Sequence, residues 1–190
     1  SYLRTDPDDL EERTYTSFET SNYRWYPEIF RIVLKLLPED HPLHDRLAVK
    51  EAYFSGASKR ILAIALEDRT EAYREALAIQ LNALALDDKA PYVHNELGIL
   101  YRQLGQMDKC EFHLREAIQL APSWGLPYAN LSSILTGQDR LDEAQAMIDK
   151  ALRLVPDYPN AHLTQGRIHE KRGNLLDAEA SYLRTTQLAP

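Results

Sequence analysis

A single cysteine, Cys110, among 190 residues leaves no internal disulfide to form, so packing alone must hold the fold. Nothing in such a chain needs an oxidising compartment, and a cytoplasmic location is expected. Glycine is scarce at seven residues and proline numbers ten, which is low for a turn-rich β protein and suits helices. No apolar run approaches the roughly 18 residues that a spanning helix needs, so membrane insertion is not expected. Basic residues are outnumbered, 22 against 29 acidic ones, and a net charge of −7 repels phosphate backbones. Nucleic acid is therefore not an expected ligand. What is present, 44% apolar and 27% charged residues, suffices for a buried core under a polar surface. The expected class is all-α.

The prolines reveal a period. Pro122, Pro156 and Pro190 are evenly spaced, and aligning the chain on them sets Ala117 over Ala151, Ala144 over Ala178 and Leu97 over Leu131. Gly98 and Gly166 stand two periods apart, as do Gly105 and Gly173. Small residues at these places let two helices cross closely, and each proline ends a second helix because its ring cannot continue the hydrogen-bond ladder.

These residues resemble the tetratricopeptide repeat family, whose pattern is W-x2-L-G-x2-Y, then a small residue, a bulky apolar one, another Ala and a closing Pro. Unit 91–124 reads His94, Leu97, Gly98, Tyr101, Cys110, Leu114, Ala117, Pro122; unit 125–158 reads Tyr128, Leu131, Ser132, Leu135, Ala144, Ile148, Ala151, Pro156. Unit 159–190 reads His162, Gln165, Gly166, His169, Ala178, Tyr182, Thr185, Pro190. The resemblance covers about half the chain. It implies a right-handed superhelical solenoid of antiparallel helix pairs, in which each unit buries an apolar face against its neighbour.

Upstream the register weakens. Residues 69–90 read as the second helix of a divergent repeat, with Ala76 and Ala83 at the small positions and Asp88 in place of the closing proline. Residues 1–68 read as a non-standard helical N-terminal cap. Within it an uninterrupted helical pattern runs from Leu43 to Leu66, with Gly56 as a kink or a close-packing point. Pro27 and Pro38 bracket a helix, Glu28 to Leu37, that is apolar nearly all round and is expected to be buried. The stretch 1–20, with six acids and two bases, reads as a loose or peripheral helix. The aromatic cluster Tyr15, Phe18, Tyr23, Trp25, Tyr26 and Phe30 reads as glue between cap and core. The pentapeptide Ser1 to Thr5 recurs at Ser181 to Thr185. A start without Met and a stop at Pro190 suggest a piece of a longer chain. The last helix, with Leu175 and Leu176, is left as an uncapped face through which a homodimer could form.

No catalytic constellation stands out, and no enzyme, metal site or cofactor is expected. His94 and His162 occupy the Trp position and read as structural. Cys110 and His113 share a helix, but Cys110 holds a small packing position. Asn130 heads an Asn-Leu-Ser sequon placed inside a helix, where glycosylation is not expected.

The resemblance places partner binding on the first helices, at repeat positions 2, 5, 6, 9, 12 and 13. These are Tyr92, Asn95, Glu96, Ile99, Arg102 and Gln103, then Leu126, Ala129, Asn130 and Ser133, then Asn160, Leu163, Thr164, Arg167 and Lys171. Amides can pair with an extended peptide backbone, Leu and Ile can offer pockets, and Arg102, Arg167 and Lys171 favour some negative charge in the ligand. Family members that clamp a chaperone's C-terminal carboxylate use Lys and Asn, then Asn, then Lys and Arg, at places held here by Asn95, Ile99, Asn130, Asn160 and Thr164. Only Asn130 agrees, and without the cations that ligand is rejected. The expected function is thus a protein–protein interaction scaffold that takes a peptide segment of a protein partner. The alternatives are a self-assembling structural array, a regulatory segment of a larger enzyme, or a secretion-type chaperone, which such triple-repeat arrays resemble.

Overall fold

The structure, a computed structural model, describes residues 22–188. Among them lie nine α-helices and no strand: α1 Asn22–Leu36, α2 His44–Leu62, α3 Thr70–Leu86, α4 Pro91–Gln103, α5 Met107–Leu120, α6 Gly125–Gly137, α7 Leu141–Leu154, α8 Pro159–Lys171 and α9 Leu175–Leu188. The chain forms two compact units, Ser1–Leu104 and Gly105–Pro190. The expectations for the stretch 1–20, with Tyr15 and Phe18, and for the side chain of Tyr23 lie outside what is described.

The repeat period is written into the backbone. Ala90, Trp124 and Tyr158 each adopt an extended conformation just before a first helix, and Pro91 and Pro159 occupy the opening turn, where a missing N–H costs nothing. The turn between first and second helices needs a left-handed residue. Gly105 and Gly173 supply it at φ 73° and 78°, and Asp139, one period from each, supplies it at φ 60°. The following amides, Arg140 N–H and Asn174 N–H, reach back to the carbonyls of Leu135 and His169 at 3.0 and 2.9 Å, closing the helix end.

The Trp position also repeats, through different chemistry. His94 Nε2 lies 3.0 Å from the Asp88 carbonyl, Tyr128 Oη donates to the Pro122 carbonyl at 3.2 Å, and His162 Nε2 lies 2.8 Å from the Pro156 carbonyl. Each ring ties the start of its helix to the loop six residues earlier. The structural reading of both histidines follows directly from these bonds.

In the first unit, α1 packs on α2 through Phe30 stacked on Phe54 at 5.5 Å and Tyr26 at 4.8 Å from the same ring. Gly56 proves to be a close-packing point and not a kink. A Cβ there would lie 2.6 Å from Gln80 Nε2, and that amide donates to the Tyr53 carbonyl at 2.8 Å. The same relation recurs in the second unit, where a Cβ on Gly166 would meet the ring of Tyr182. The spacing differs, because the stretch from Gly56 to Gln80 is eight residues longer than that from Gly166 to Tyr182. So α2 and α3 make a helix pair of the repeat type with a lengthened connection, which includes the short 3₁₀ turn Ala63–Ala65. The pattern running from Leu43 to Leu66 thus covers α2 and the 3₁₀ turn that opens this connection.

Two other expectations are corrected. Pro27 does not start α1; it sits inside the helix Asn22–Leu36. Its ring is buried, and the one amide bond it forfeits is not enough to stop the helix. Nor is α1 buried all round, because Ile29, Ile32 and Leu36 are exposed on the side away from α2.

In the second unit α6 pairs with α7 and α8 with α9, and α6 and α8 lie side by side. Ala117, Ala144, Ala151, Ile148, Leu131 and Leu135 are fully buried, as the small and bulky positions of the repeat require. Ser132, which stands where Gly166 stands one unit later, turns its hydroxyl onto the Ala144 carbonyl at 2.7 Å. Its polar atom is thereby satisfied inside the core.

Candidate functional site

The residues expected to face a partner divide between the two units and are placed very differently in them. In the first unit, α2 and α4 are in contact, and Tyr92, Asn95 and Glu96 on α4 are buried. The Tyr92 ring meets Tyr53 edge-on at 4.9 Å, with the Lys50 ammonium 5.9 Å from its centre. Glu96 is gripped by the Arg60 guanidinium, Nε to one carboxylate oxygen and Nη2 to the other at 3.2 Å. The two side chains are only 3% and 17% exposed. This carboxylate already has its cation. Ile99 and Arg102, further along α4, are half-buried.

In the second unit, α6 presents Leu126, Asn130 and Ser133, all half-buried, and α8 beside it presents half-buried Leu163 and exposed Arg167. Two other residues of the expected set are committed elsewhere. Thr164 is buried and its hydroxyl donates to the Asn160 carbonyl at 2.9 Å, one turn back. The Lys171 ammonium is ion-paired with Asp139. The rest of the set on these two neighbouring helices is a partly accessible strip of one amide, one hydroxyl, two aliphatic side chains and one guanidinium. Such a strip can pair with an extended backbone and seat an apolar or acidic side chain.

Charge pairs a little under one period apart join successive hairpins of the second unit. Arg140 reaches Glu111 at 2.7 Å and forks onto Glu143 at 2.8 Å; Arg172 reaches Asp142 at 2.7 Å and Arg184 reaches Asp157 at 2.6 Å. Arg115 adds bonds to Glu111 and Glu143. The hydrogen bond from Arg140 is the main reason why both the Glu111 and Glu143 carboxyls titrate below their ordinary range, with Arg115 adding to it. The sign follows: these carboxylates stabilise the fold above the ordinary carboxylate range, and the contribution fades as pH falls through the lowered values. Arg140→Met should therefore melt below the parent near neutral pH. The gap in melting temperature should close as the solution is acidified, and a gap that stayed constant to low pH would show that the network contributes nothing. No composition or periodicity pointed to this network; its trace in the sequence is acid and base recurring slightly short of the repeat period.

Among the described residues no cluster of three or more His, Cys, Asp or Glu is placed to hold a metal ion, and no helix is long and apolar enough to cross a membrane. Cys110 is buried. On α9, Leu175, Leu176 and Leu183 are exposed. They adjoin or line a shallow hollow of about 450 Å³ with Tyr182, Glu170 and Glu179.

Two family models, each described as tetratricopeptide repeat, match residues 91–124 and 132–190. The chain is 30% identical over 86 residues to the Hsp70-Hsp90 organizing protein of Triticum aestivum, a match covering 45% of this chain and 15% of that one. It thus spans only a small part of that relative's length. Among solved structures it is similar to MamA (17% identity, 97% of this chain and 95% of that one, TM-score 0.61). It is also similar to PilF of Pseudomonas aeruginosa (18%, 90% and 78%, TM-score 0.65). A third is YrrB, described as a TPR protein with an unusual peptide-binding site (19%, 75% and 70%, TM-score 0.58). At these identities the structural likenesses establish the fold, an all-α helical repeat solenoid, and nothing finer.

Proposed function

The chain belongs to the tetratricopeptide repeat proteins, and from that premise we propose that it is a non-catalytic protein–protein interaction module whose second unit holds an extended peptide of a partner. The observation that carries this reading is the strip on α6 and α8. Asn130 and Ser133 offer backbone-pairing groups, Leu126 and Leu163 offer apolar contact, and Arg167 stands exposed as a cation for an acidic side chain. The first unit's share of the expected set contributes less. Tyr92, Asn95 and Glu96 are inside, and Glu96 is neutralised by Arg60.

The relative from Triticum aestivum is named for Hsp70 and Hsp90, and its likeness lends weight to partner binding in general. The chaperone carboxylate is not part of the proposal. Of the five clamp places only Asn130 agrees, and Thr164, at one of the cation places, is a buried hydroxyl spent on its own helix. A cytoplasmic location belongs to the same proposal and rests on a single cysteine that has no disulfide to make.

Peptide display on the purified chain, with separate acidic and uncharged pools, tests the reading. Acidic sequences should be enriched. Asn130→Ala and Arg167→Ala should each weaken the selected peptides about tenfold or more, the worth of a hydrogen bond to a charged group or a buried amide pair. Helix content should not change. Enrichment of nothing, or peptides indifferent to both substitutions, would overturn the proposal.

A further inference from the structure

Within the second unit, the places that line the hollow on α9 recur one period earlier on α7, and there they are covered. Leu175 and Leu183 are 68% and 58% exposed, Glu179 is exposed and Tyr182 is half-buried. Their counterparts Leu141, Asp149 and Gln145 are half-buried, and Ile148, in the place of Tyr182, is fully buried. The difference is that α8 packs on α7. The hollow therefore has the form of a seat that a first helix takes one hairpin back. Charge repeats with it. Glu111 on α5 accepts from Arg140, three residues past the end of α6, at 2.7 Å, and from Arg115 on its own helix. Glu179 stands two periods beyond Glu111, and Leu183 stands where Arg115 does. Among the described residues no hydrogen bond or ion pair holds the Glu179 carboxylate.

The cations of the last hairpin are used elsewhere. Lys171, Arg172 and Arg184 reach back to Asp139, Asp142 and Asp157 of the preceding repeat. Arg167 and Glu170 both reach the Tyr182 phenol and oppose each other in sign there. Asp177, exposed on α9, adds a further acid. The face is thus apolar along its middle and acidic at Glu179. We propose that it docks an amphipathic helix of a partner protein, with an Arg or Lys just past the end of that helix to meet Glu179 as Arg140 meets Glu111. Apolar side chains three and four residues apart on the partner helix would lie along Leu175, Tyr182 and Leu183. This ligand differs from that of the strip on α6 and α8, being a helix in place of an extended segment, and the inference stands or falls without the strip. Arg167 belongs to the strip and also lies near the Tyr182 end of the hollow, so the discriminating substitutions are those on α9.

The chain's own sequence 125–140, α6 with its turn and Arg140, supplies the probe. Held helical by a side-chain staple and followed by fluorescence anisotropy, this peptide should bind the whole chain saturably. Leu183→Glu, at an exposed position, should weaken it about tenfold or more by setting a carboxylate in the apolar middle of the face. A peptide carrying Glu in place of Arg140 should bind several-fold more weakly. Glu179→Arg in the chain should reverse that order, favouring the Glu-bearing peptide over the original. Extended peptides selected for the strip should be indifferent to both substitutions on α9. A peptide that does not bind, binding that ignores Leu183→Glu, or an order that Glu179→Arg leaves unchanged would overturn the inference. So would a mass that rises above 21.8 kDa without peptide and returns to it in Leu183→Glu, which would assign the face to a second copy. The same holds if Leu183→Cys resists maleimide in the chain without peptide, since another segment would then already cover the face; Cys110 is buried and leaves that readout clean.

Discussion

Arg60→Met should lower the stability of the fold by about 3–5 kcal/mol, among the largest effects of any single change available in this chain. The reason is Glu96. Its carboxylate is almost wholly removed from water, and both of its oxygens are occupied by one guanidinium. Removing the cation leaves a buried anion with its solvation gone and its partner missing, a far worse state than the loss of one surface ion pair. The same argument predicts the remedy. Arg60→Met combined with Glu96→Met takes out both charges and leaves apolar side chains of similar length, so the double variant should recover most of the loss. Urea unfolding followed by far-ultraviolet dichroism measures each step. If the single variant unfolds at the parent's midpoint, Glu96 is not held as described and becomes available to a ligand. If the single variant is crippled and the double recovers, Glu96 is a structural residue of the first unit. Its place in the family's binding pattern is then a coincidence of register.

The ion pair of Arg60 and Glu96 lies beyond what the repeat pattern conveys. The repeat period was legible because it rests on residues whose role is local. A proline ends a helix by its own ring, and a small residue at a crossing is demanded by the one helix that meets it. Even so, Asp139 stands at a left-handed turn where its neighbours one period away have glycine, and only the backbone reveals that the three are equivalent. The lengthened connection between α2 and α3 takes the pairing of Gly56 with Gln80 out of the repeat period, so no fixed spacing marks it in the sequence. That pair puts α2 beside α4, with Tyr53 against Tyr92 and Arg60 on Glu96, and the burial of these α4 side chains follows from a contact that the repeat pattern does not carry. Long-range charge pairing failed for a related reason. Each acid on a helix surface has several bases within reach of some plausible packing, and which one it meets is decided by helix rotation, which periodicity does not fix.

Gly166→Ser makes the crossing of α8 and α9 a measurable test of the register itself. A Cβ at this position would lie 2.5 and 2.6 Å from Cε1 and Cδ1 of Tyr182, far inside contact distance. The ring cannot simply turn away, since its hydroxyl donates to Glu170 Oε2 at 2.7 Å. Serine in a helix interior recovers a few tenths of a kcal/mol over glycine through propensity, but overpacking costs about 1–3 kcal/mol, so a net loss is expected. One unit earlier the chain displays the compensated version: Ser132 stands in the place of Gly166 and Ile148 in the place of Tyr182, both fully buried. The small side chain is accommodated there by a branched aliphatic one, and its hydroxyl is satisfied by the Ala144 carbonyl. Transplanting that solution should work. Tyr182→Ile alone removes ring contacts and the bond to Glu170, and so destabilises. Combined with Gly166→Ser it should give back most of what each substitution loses, a coupling of about 0.5–3 kcal/mol from a double-mutant cycle of unfolding free energies. The carbonyl available to the new hydroxyl is that of Ala178, one period beyond Ala144. Strictly additive losses would mean that the two crossings are not superimposable, and the equivalence of the units at their closest point of contact would have to be given up.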